Sequence, residues 1–322
     1  KTAYEIPKRD WSSDVCSSDL TPQITNTLKL RHDIEQLGFL AARGRLPAGA
    51  EHLAAIFERS LERFGREHGV AANAPFPPDL WREIGSAYNR VVVWDPPTAL
   101  SAGALGSFDR VQASRRYAVP PGIVWIDDFL KSEAIAALRR FCLEATIWND
   151  IQHNFQDKPV ARGYLGTYVN DGFIAPLLFQ IADELIHALP DIFQHHRLVQ
   201  MWAYKYEAAL EGIPVHGDVA AVNVNFWITP DDANLDPEGG GLVVYPVEAP
   251  PDWNFGEINL DQDRIWKFVN ESGKQPVNIP YRENRAVIFN SDLFHTTAPL
   301  RFKPGYENRR INITMLFGER SG

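Results

Sequence analysis

Short strand-like runs separated by turn residues fill the second half of this 322-residue chain, and they restrict the fold more than any other feature. Val199–Tyr206, Ala221–Ile228, Gly241–Pro246, Ala286–Phe289 and Arg310–Phe317 are rich in branched and aromatic residues. Gly212, Pro214, Pro230-Asp231-Asp232, Pro237-Glu238-Gly239-Gly240-Gly241 and Pro304-Gly305 punctuate them. Ahead of them lie a short strand, Ile123–Ile126, and two helical patterns. Ser132–Thr146 carries Ile135, Leu138, Phe141 and Leu143 on one side, with Ser132 as the expected N-cap. Phe173–Leu189 is expected to end at Pro190. A few helices followed by many short strands predict an α+β fold whose sheets are stacked or closed.

Upstream, Leu28–Leu40 and His52–Phe64 repeat apolar residues at helical spacing across a Gly/Pro turn, which predicts a helical hairpin. It reads equally as the remnant of a helical-repeat array or as a small extension packed on the main domain. Pro96–Ser107, rich in Pro, Ala, Gly and Ser, reads as a linker. The first residues stand apart: Asp10–Leu20 resembles a translated sequencing-adapter read-through and has no helix or strand period. The expected organisation is a non-native or disordered segment at 1–20, a helical extension with linker at 21–107, and the main domain at 108–322. Setting 1–20 aside removes Cys16 and leaves Cys142, expected to be a core thiol.

Partners are narrowed by charge. The net charge is −9, from 41 acidic against 32 basic residues, with no basic stretch able to track a phosphate backbone, so nucleic acid is not an expected partner. No apolar run approaches the roughly 18 residues of a membrane span, and no secretory signal is visible at the start. A reducing, cytoplasmic setting is expected. Oligomeric state has no signature.

His216-Gly217-Asp218 is the strongest chemical signal. Residues two apart on an extended chain point to one side, so both side chains face the same space. His295, expected to end the strand Ala286–Phe289, supplies a third candidate ligand from a distant part of the chain. Two histidines and one carboxylate make the facial triad that leaves positions open on a non-haem Fe(II). On its own, His295 reads more simply as a hydrogen-bonded core residue. In Ala221–Ile228, Asn223, Asn225 and Trp227 share one face, which lines a wet cavity or else faces solvent. Arg310, Asn312 and Thr314 share a face of the last strand, with Ile311 and Ile313 opposite. That parity favours Arg310 over Arg309 as a bidentate carboxylate partner.

The order Tyr206…His216-Gly217-Asp218…Gly239-Gly240-Gly241-Leu242…His295…Arg310-Ile311-Asn312 resembles the Fe(II)/2-oxoglutarate-dependent dioxygenase superfamily, from about Tyr117 to Gly318. The resemblance implies a double-stranded β-helix (jelly-roll, cupin-like) core backed by helices. It implies that His216, Asp218 and His295 bind Fe(II), and that Arg310 pairs with the distal carboxylate of 2-oxoglutarate, assisted by Tyr206 or Tyr204. Asn223, Asn225 and Asn312 are then candidates for contacting co-substrate or substrate. The implied activity is O2-dependent hydroxylation of an aliphatic C–H bond in a peptide, amino acid or small molecule. Asp218 argues against the halogenating members, which carry a small residue at that position. Two other readings stand beside it: an inactive jelly roll used for ligand sensing, and a cupin-type metal dioxygenase without 2-oxoglutarate, which would need no arginine clamp. The helical extension points toward a peptide or macromolecular substrate. Pro250–Tyr281, with Trp253, Phe255, Trp266 and Phe268 and a helix expected over Asp263–Glu271, reads as a lid or platform, or as a self-packed excursion.

Overall fold

A computed structural model describes residues 22–69, 72–151, 163–193 and 195–320. The adapter-like segment, with Cys16, lies outside the described residues. So do His153, Asn154 and Arg162, part of the polar and aromatic stretch Trp148–Tyr168 (with Tyr164 and Tyr168) that reads in the sequence as ordinary connection, with reach to the site as the alternative.

The extension begins with β1 (Ile24–Thr25) and α1 (Thr27–Ala42), capped by the Asn26 side chain accepting from the Lys29 N–H at 2.8 Å. α2 (Leu53–His68) folds back on α1, giving the expected hairpin. β2 (Ala74–Pro75) then pairs antiparallel with β1, and α3 (Pro78–Ile84) starts with proline at its first turn. Leu30, Leu37, Phe57, Phe64, Phe76 and Trp81 make a small core of their own. The other side of α1 turns to the main domain. The Gln36 amide donates to the carbonyls of Leu143 and Ala145 at 3.1 and 2.9 Å, and Leu28 joins the principal core.

The stretch 96–107 is packed rather than free. Ala104 and Leu105 are buried in that principal core, and their N–H groups donate to the Glu184 carboxylate. Beyond it come α4 (Arg110–Tyr117), β3 (Ile123–Ile126) and α5 (Ser132–Glu144). Lys131, not Ser132, occupies the N-cap of α5, with no side-chain cap; Ser132 is the first helical residue, and Glu133 sits in the first turn, where the dipole favours an acid. β4 (Tyr164–Tyr168) follows. α6 (Pro176–Ala188) starts three residues later than the periodicity suggests, because Ala175 precedes a proline and stays extended (φ −154°, ψ 144°). Pro190 ends α6 and opens the one-turn α7 (Pro190–Phe193).

The remaining strands are β5 (Leu198–Tyr206), β6 (Ala209–Leu210), β7 (Val222–Trp227) and β8 (Leu242–Glu248). α8 (Phe255–Asn259) and α9 (Gln262–Glu271) lie in the insertion, which returns through β9 (Val277–Ile279). β10 (Ala286–Asn290), β11 (Leu293–Thr297), β12 (Leu300–Arg301) and β13 (Ile311–Phe317) complete the order. A six-stranded sheet runs β3-β10-β7-β13-β5-β4 and a three-stranded sheet runs β11-β8-β9, every pairing antiparallel. Beyond β11, His216 adds one bridged residue opposite His295.

From β5 onward the chain crosses repeatedly between the two sheets: β5, then His216, β7, β8 with β9, β10, β11 and finally β13. This alternation is the double-stranded β-helix. The outer face of the large sheet packs on α5 and α6, burying Leu138, Phe141, Leu178 and Ile181 against Val224 and Ile313. Its inner face meets the small sheet through Tyr206, Trp227, Val244, Ile279 and Phe289. All six residues of β7 are buried, so the Asn223/Asn225/Trp227 face lies inside the fold and the solvent-facing alternative is excluded.

His295 departs from its expected place. It lies on β11, past the Ser291-Asp292 turn and in the opposite sheet, instead of ending β10. Apolar residues on both sides of that turn make the two strands look like one run. Among the described residues, no helix is long and apolar enough to cross a membrane.

Candidate metal centre

His216 and His295 exchange backbone hydrogen bonds, His216 N–H to His295 O at 3.0 Å and the reverse at 2.8 Å. This pair brings two distant segments together and puts the imidazole centroids 4.4 Å apart. Asp218 follows two residues after His216, with a carboxylate oxygen 3.4 Å from His295 Nε2. One ligand atom from each of the three lies within 4.8 Å of the others.

Both rings are oriented in the same way. His216 Nδ1 lies 2.9 Å from the Pro214 carbonyl and His295 Nδ1 lies 3.0 Å from that of Leu293, in each case two residues back. A carbonyl only accepts, so each Nδ1 carries a proton, which leaves Nε2 of each ring as the atom turned toward the cluster and available for a ligand role. Phe289 packs edge-on against His295, its centroid 4.9 Å away. Burial would raise the Asp218 carboxyl, but the His295 ring, then His216 and the Asn223 amide, outweigh it and hold the group below its ordinary value. Two imidazoles and one carboxylate on converging backbones fit a divalent first-row metal with part of its coordination open.

A file of side chains leads away from Asp218 across the inner face of the large sheet. Asn223 donates to Asp218 Oδ2 at 2.5 Å, and Asn225 donates to Asn223 Oδ1 at 2.5 Å. Asn312 and the Thr314 hydroxyl donate to Asn225 Oδ1 at 3.3 and 2.7 Å. Arg310 Nη1 then donates to Asn312 Oδ1 at 3.2 Å. Every amide along this file donates toward Asp218. A guanidinium at one end and a carboxylate at the other orient the dipoles between them.

Arg310 is only 1% exposed, and it forms no ion pair with a carboxylate among the described residues. Its Nε donates to the Gly240 carbonyl at 2.6 Å, and its guanidinium carbon stands 4.5 Å over the Tyr206 ring, with Trp227 and Tyr281 at 5.7 and 5.9 Å. Burial works against its charge, and Tyr206 and Tyr281 oppose that effect. An arginine cannot discharge, so a site like this favours an anionic ligand. Tyr204 lies one row away, its hydroxyl 2.9 Å from that of Tyr168, and its ionisation is pushed well up by burial and by the neighbouring Tyr168 and Tyr164.

The structure thus brings His216, Asp218 and His295 into one cluster and lines Asn223, Asn225, Asn312, Arg310 and Tyr206 up beside it, with Tyr204 adjoining. The sequence puts Trp227 on the Asn223/Asn225 face, but the Gly240 carbonyl and Tyr281 around the guanidinium were not singled out. Tyr164 and Tyr168 read as ordinary connection in the sequence, whereas β4 stacks Tyr164 on Tyr206 and sets Tyr168 edge-on to Tyr204. A signal for Gly240 existed in its neighbour: a Cβ on Gly241 would stand 1.9 Å from the Ile279 carbonyl oxygen, the close backbone approach that a glycine run announces.

No protein-family model matches the sequence, and no curated protein matches it. Solved structures are similar in fold. One is the non-haem α-ketoglutarate-dependent epimerase SnoN of nogalamycin biosynthesis, at 13% identity over 65% of this chain and 83% of that one, with TM-score 0.47. Another is HygX from Streptomyces hygroscopicus with nickel and 2-oxoglutarate bound, at 14% identity over 66% and 88%, TM-score 0.43. A third is a Pseudomonas putida prolyl-4-hydroxylase, at 14% identity over 66% and 99%, TM-score 0.42.

Proposed function

We propose that this protein is an Fe(II)- and 2-oxoglutarate-dependent oxygenase that hydroxylates an aliphatic C–H bond. One observation carries the reading. A two-histidine, one-carboxylate cluster and a buried arginine with no carboxylate partner among the described residues are joined, across the inner face of the large sheet, by a hydrogen-bonded file of side chains. The arginine also favours this reading over a metal dioxygenase that uses no 2-oxoglutarate, since such an enzyme has no distal carboxylate to hold.

In this reading His216, Asp218 and His295 hold the metal through Nε2, a carboxylate oxygen and Nε2. Arg310 receives the distal carboxylate of 2-oxoglutarate, and Tyr206 supports the guanidinium from beneath. Asn223 steadies the Asp218 carboxylate, while Asn225 and Asn312 keep the intervening face polar and pre-oriented. Tyr204, Tyr168 and Phe289 wall the space and exclude water. Bound Fe(II) with 2-oxoglutarate and O2 supplies an oxidant able to break an aliphatic C–H bond, with succinate and carbon dioxide as by-products.

The helical extension lies behind this face. Tyr204 and Tyr206 point inward from β5, whereas Lys205 points outward to Tyr306. The extension therefore lends no surface to the inner face, and a small-molecule substrate suits the geometry as well as a peptide. The test is succinate formation from 2-oxoglutarate with Fe(II) and ascorbate, together with a gain of one oxygen on a substrate found by mass spectrometry of a treated extract. Turnover that persists without 2-oxoglutarate overturns the reading.

A further inference from the structure

His216 belongs to the small sheet by a single bridged residue, so the segment that carries it has almost no ladder to hold it. Its outer edge is covered by the insertion. Gly217 N–H donates to the Ile258 carbonyl at 3.0 Å, the Asn259 amide donates to the Gly217 carbonyl at 3.0 Å, and the Gln262 amide donates to the Val215 carbonyl at 2.9 Å. These three bonds grip the backbone on both sides of His216.

The gripping element is itself braced. Asn254 and Glu257 form a capping box on α8, Asp261 caps α9 by accepting from Arg264 N–H, and Arg264 pairs with Glu257 between the two helices. Arg320 fastens its root, donating to the carbonyls of Ala249, Pro250 and Trp253 and pairing with Asp292. Beneath lies a separate apolar core in which Val215 and Phe294, the residues preceding the two histidines, meet Ile258, Ile265 and Val269. Each histidine thus points inward from a backbone whose preceding side chain is anchored in the insertion.

We propose that Asn259 and Gln262 are positioning residues for the metal. They act through the backbone of Val215–Gly217 to aim His216 and Asp218 at His295. The inference rests on the metal-binding reading above, and it assigns the insertion a role distinct from that of a lid.

Titration of the full-length metal-free protein with Co(II), followed by ligand-field absorption, tests it, with the melting temperature of the metal-free protein as a second readout. Asn259→Leu, Gln262→Met and Gln262→Glu remove a donor while nearly keeping shape. Each is expected to weaken Co(II) binding about 10-fold, the scale of losses from groups supporting metal ligands, to alter the cobalt spectrum, and to leave the melting temperature close to wild type. Gln262→Lys keeps a donor and is expected to recover most of the affinity. Unchanged affinity and spectrum in all three donor-deleted variants overturn the proposal. So does a loss that merely follows melting temperature and is not rescued by Gln262→Lys. His216→Ala separates the two readings: if wild type binds Co(II) no better than His216→Ala, the metal-binding reading falls and this inference falls with it.

Discussion

Arg309 and Arg310 are adjacent in sequence and serve opposite sides of one sheet. Arg309 reaches outward to Glu35 on α1, at 2.9 Å, and to Glu207, at 3.2 Å. Arg310 turns inward, where its partners are the Gly240 carbonyl and Asn312. One guanidinium is matched by carboxylates of the fold; the other has none among the described residues, and under the proposed function it receives the distal carboxylate of 2-oxoglutarate. Arg310→Met is therefore expected to raise the KM for 2-oxoglutarate about 100-fold or more, since hydrogen bonds to a charged group contribute roughly 1.5–3 kcal/mol each. Arg309→Met is expected to leave that KM within about 2-fold and to cost about 1–3 kcal/mol of stability instead. Steady-state succinate assays and urea denaturation of both variants check the contrast.

Replacing His216, Asp218 or His295 by alanine removes a ligand and is expected to abolish succinate formation. Asn223→Ala spares all three ligands but removes the amide held against Asp218 Oδ2. Its metal affinity is expected to fall about 10- to 100-fold, with turnover partly recovered at saturating Fe(II). Activity measured as a function of iron concentration distinguishes the two outcomes.

Gly241→Ala is expected to act at a distance. The added Cβ would lie 1.9 Å from the Ile279 carbonyl oxygen and 2.7 Å from the Tyr281 nitrogen, so β8 and β9 must separate locally. Overpacking of this kind costs about 1–3 kcal/mol. It also displaces Gly240, whose carbonyl receives Arg310. A lower melting temperature together with a raised KM for 2-oxoglutarate is the expected signature; a stability loss with KM unchanged contradicts it.

His32 on α1 is fully buried, with Nδ1 3.0 Å from an Asp33 carboxylate oxygen and its ring against Trp148 and Tyr306. Burial, then the charges of Lys205, Arg309 and Lys29, hold its pKa well below the ordinary 6.5. The folded state keeps His32 neutral where the unfolded chain takes up a proton. Its contribution is therefore complete above pH 6.5 and is lost as pH falls through the folded value. His32→Phe is expected to flatten this acid limb. Urea denaturation midpoints between about pH 7.5 and pH 5 measure it.

The strands β5, β7, β8, β10 and β13 were legible because branched and aromatic runs alternate with Gly/Pro turns, and side-chain parity alone distinguished Arg310 from Arg309. What escaped was long-range. β4 and β9 are short, and their residues become strands only through partners far along the chain. The place of His295 depended on a turn concealed between two apolar runs. The grip of Asn259 and Gln262 on Val215 and Gly217 joins polar residues to backbone atoms more than forty positions away, and no local pattern marks such a pair. The stretch read as a linker looks flexible by composition, yet the Glu184 carboxylate accepts from the N–H groups of Ala104 and Leu105 within it.

The central place of β13 has a consequence for biosynthesis. It is the last of the described strands to leave the ribosome, yet it pairs with both β5 and β7. Until it emerges, the large sheet exists as two fragments, β3-β10-β7 and β5-β4, each with an open edge that invites pairing with another nascent chain. Such distant pairings close slowly. Productive yield in a cell therefore depends on how long those two edges can be shielded, and slower synthesis, lower temperature or a holding chaperone are the levers that lengthen that interval.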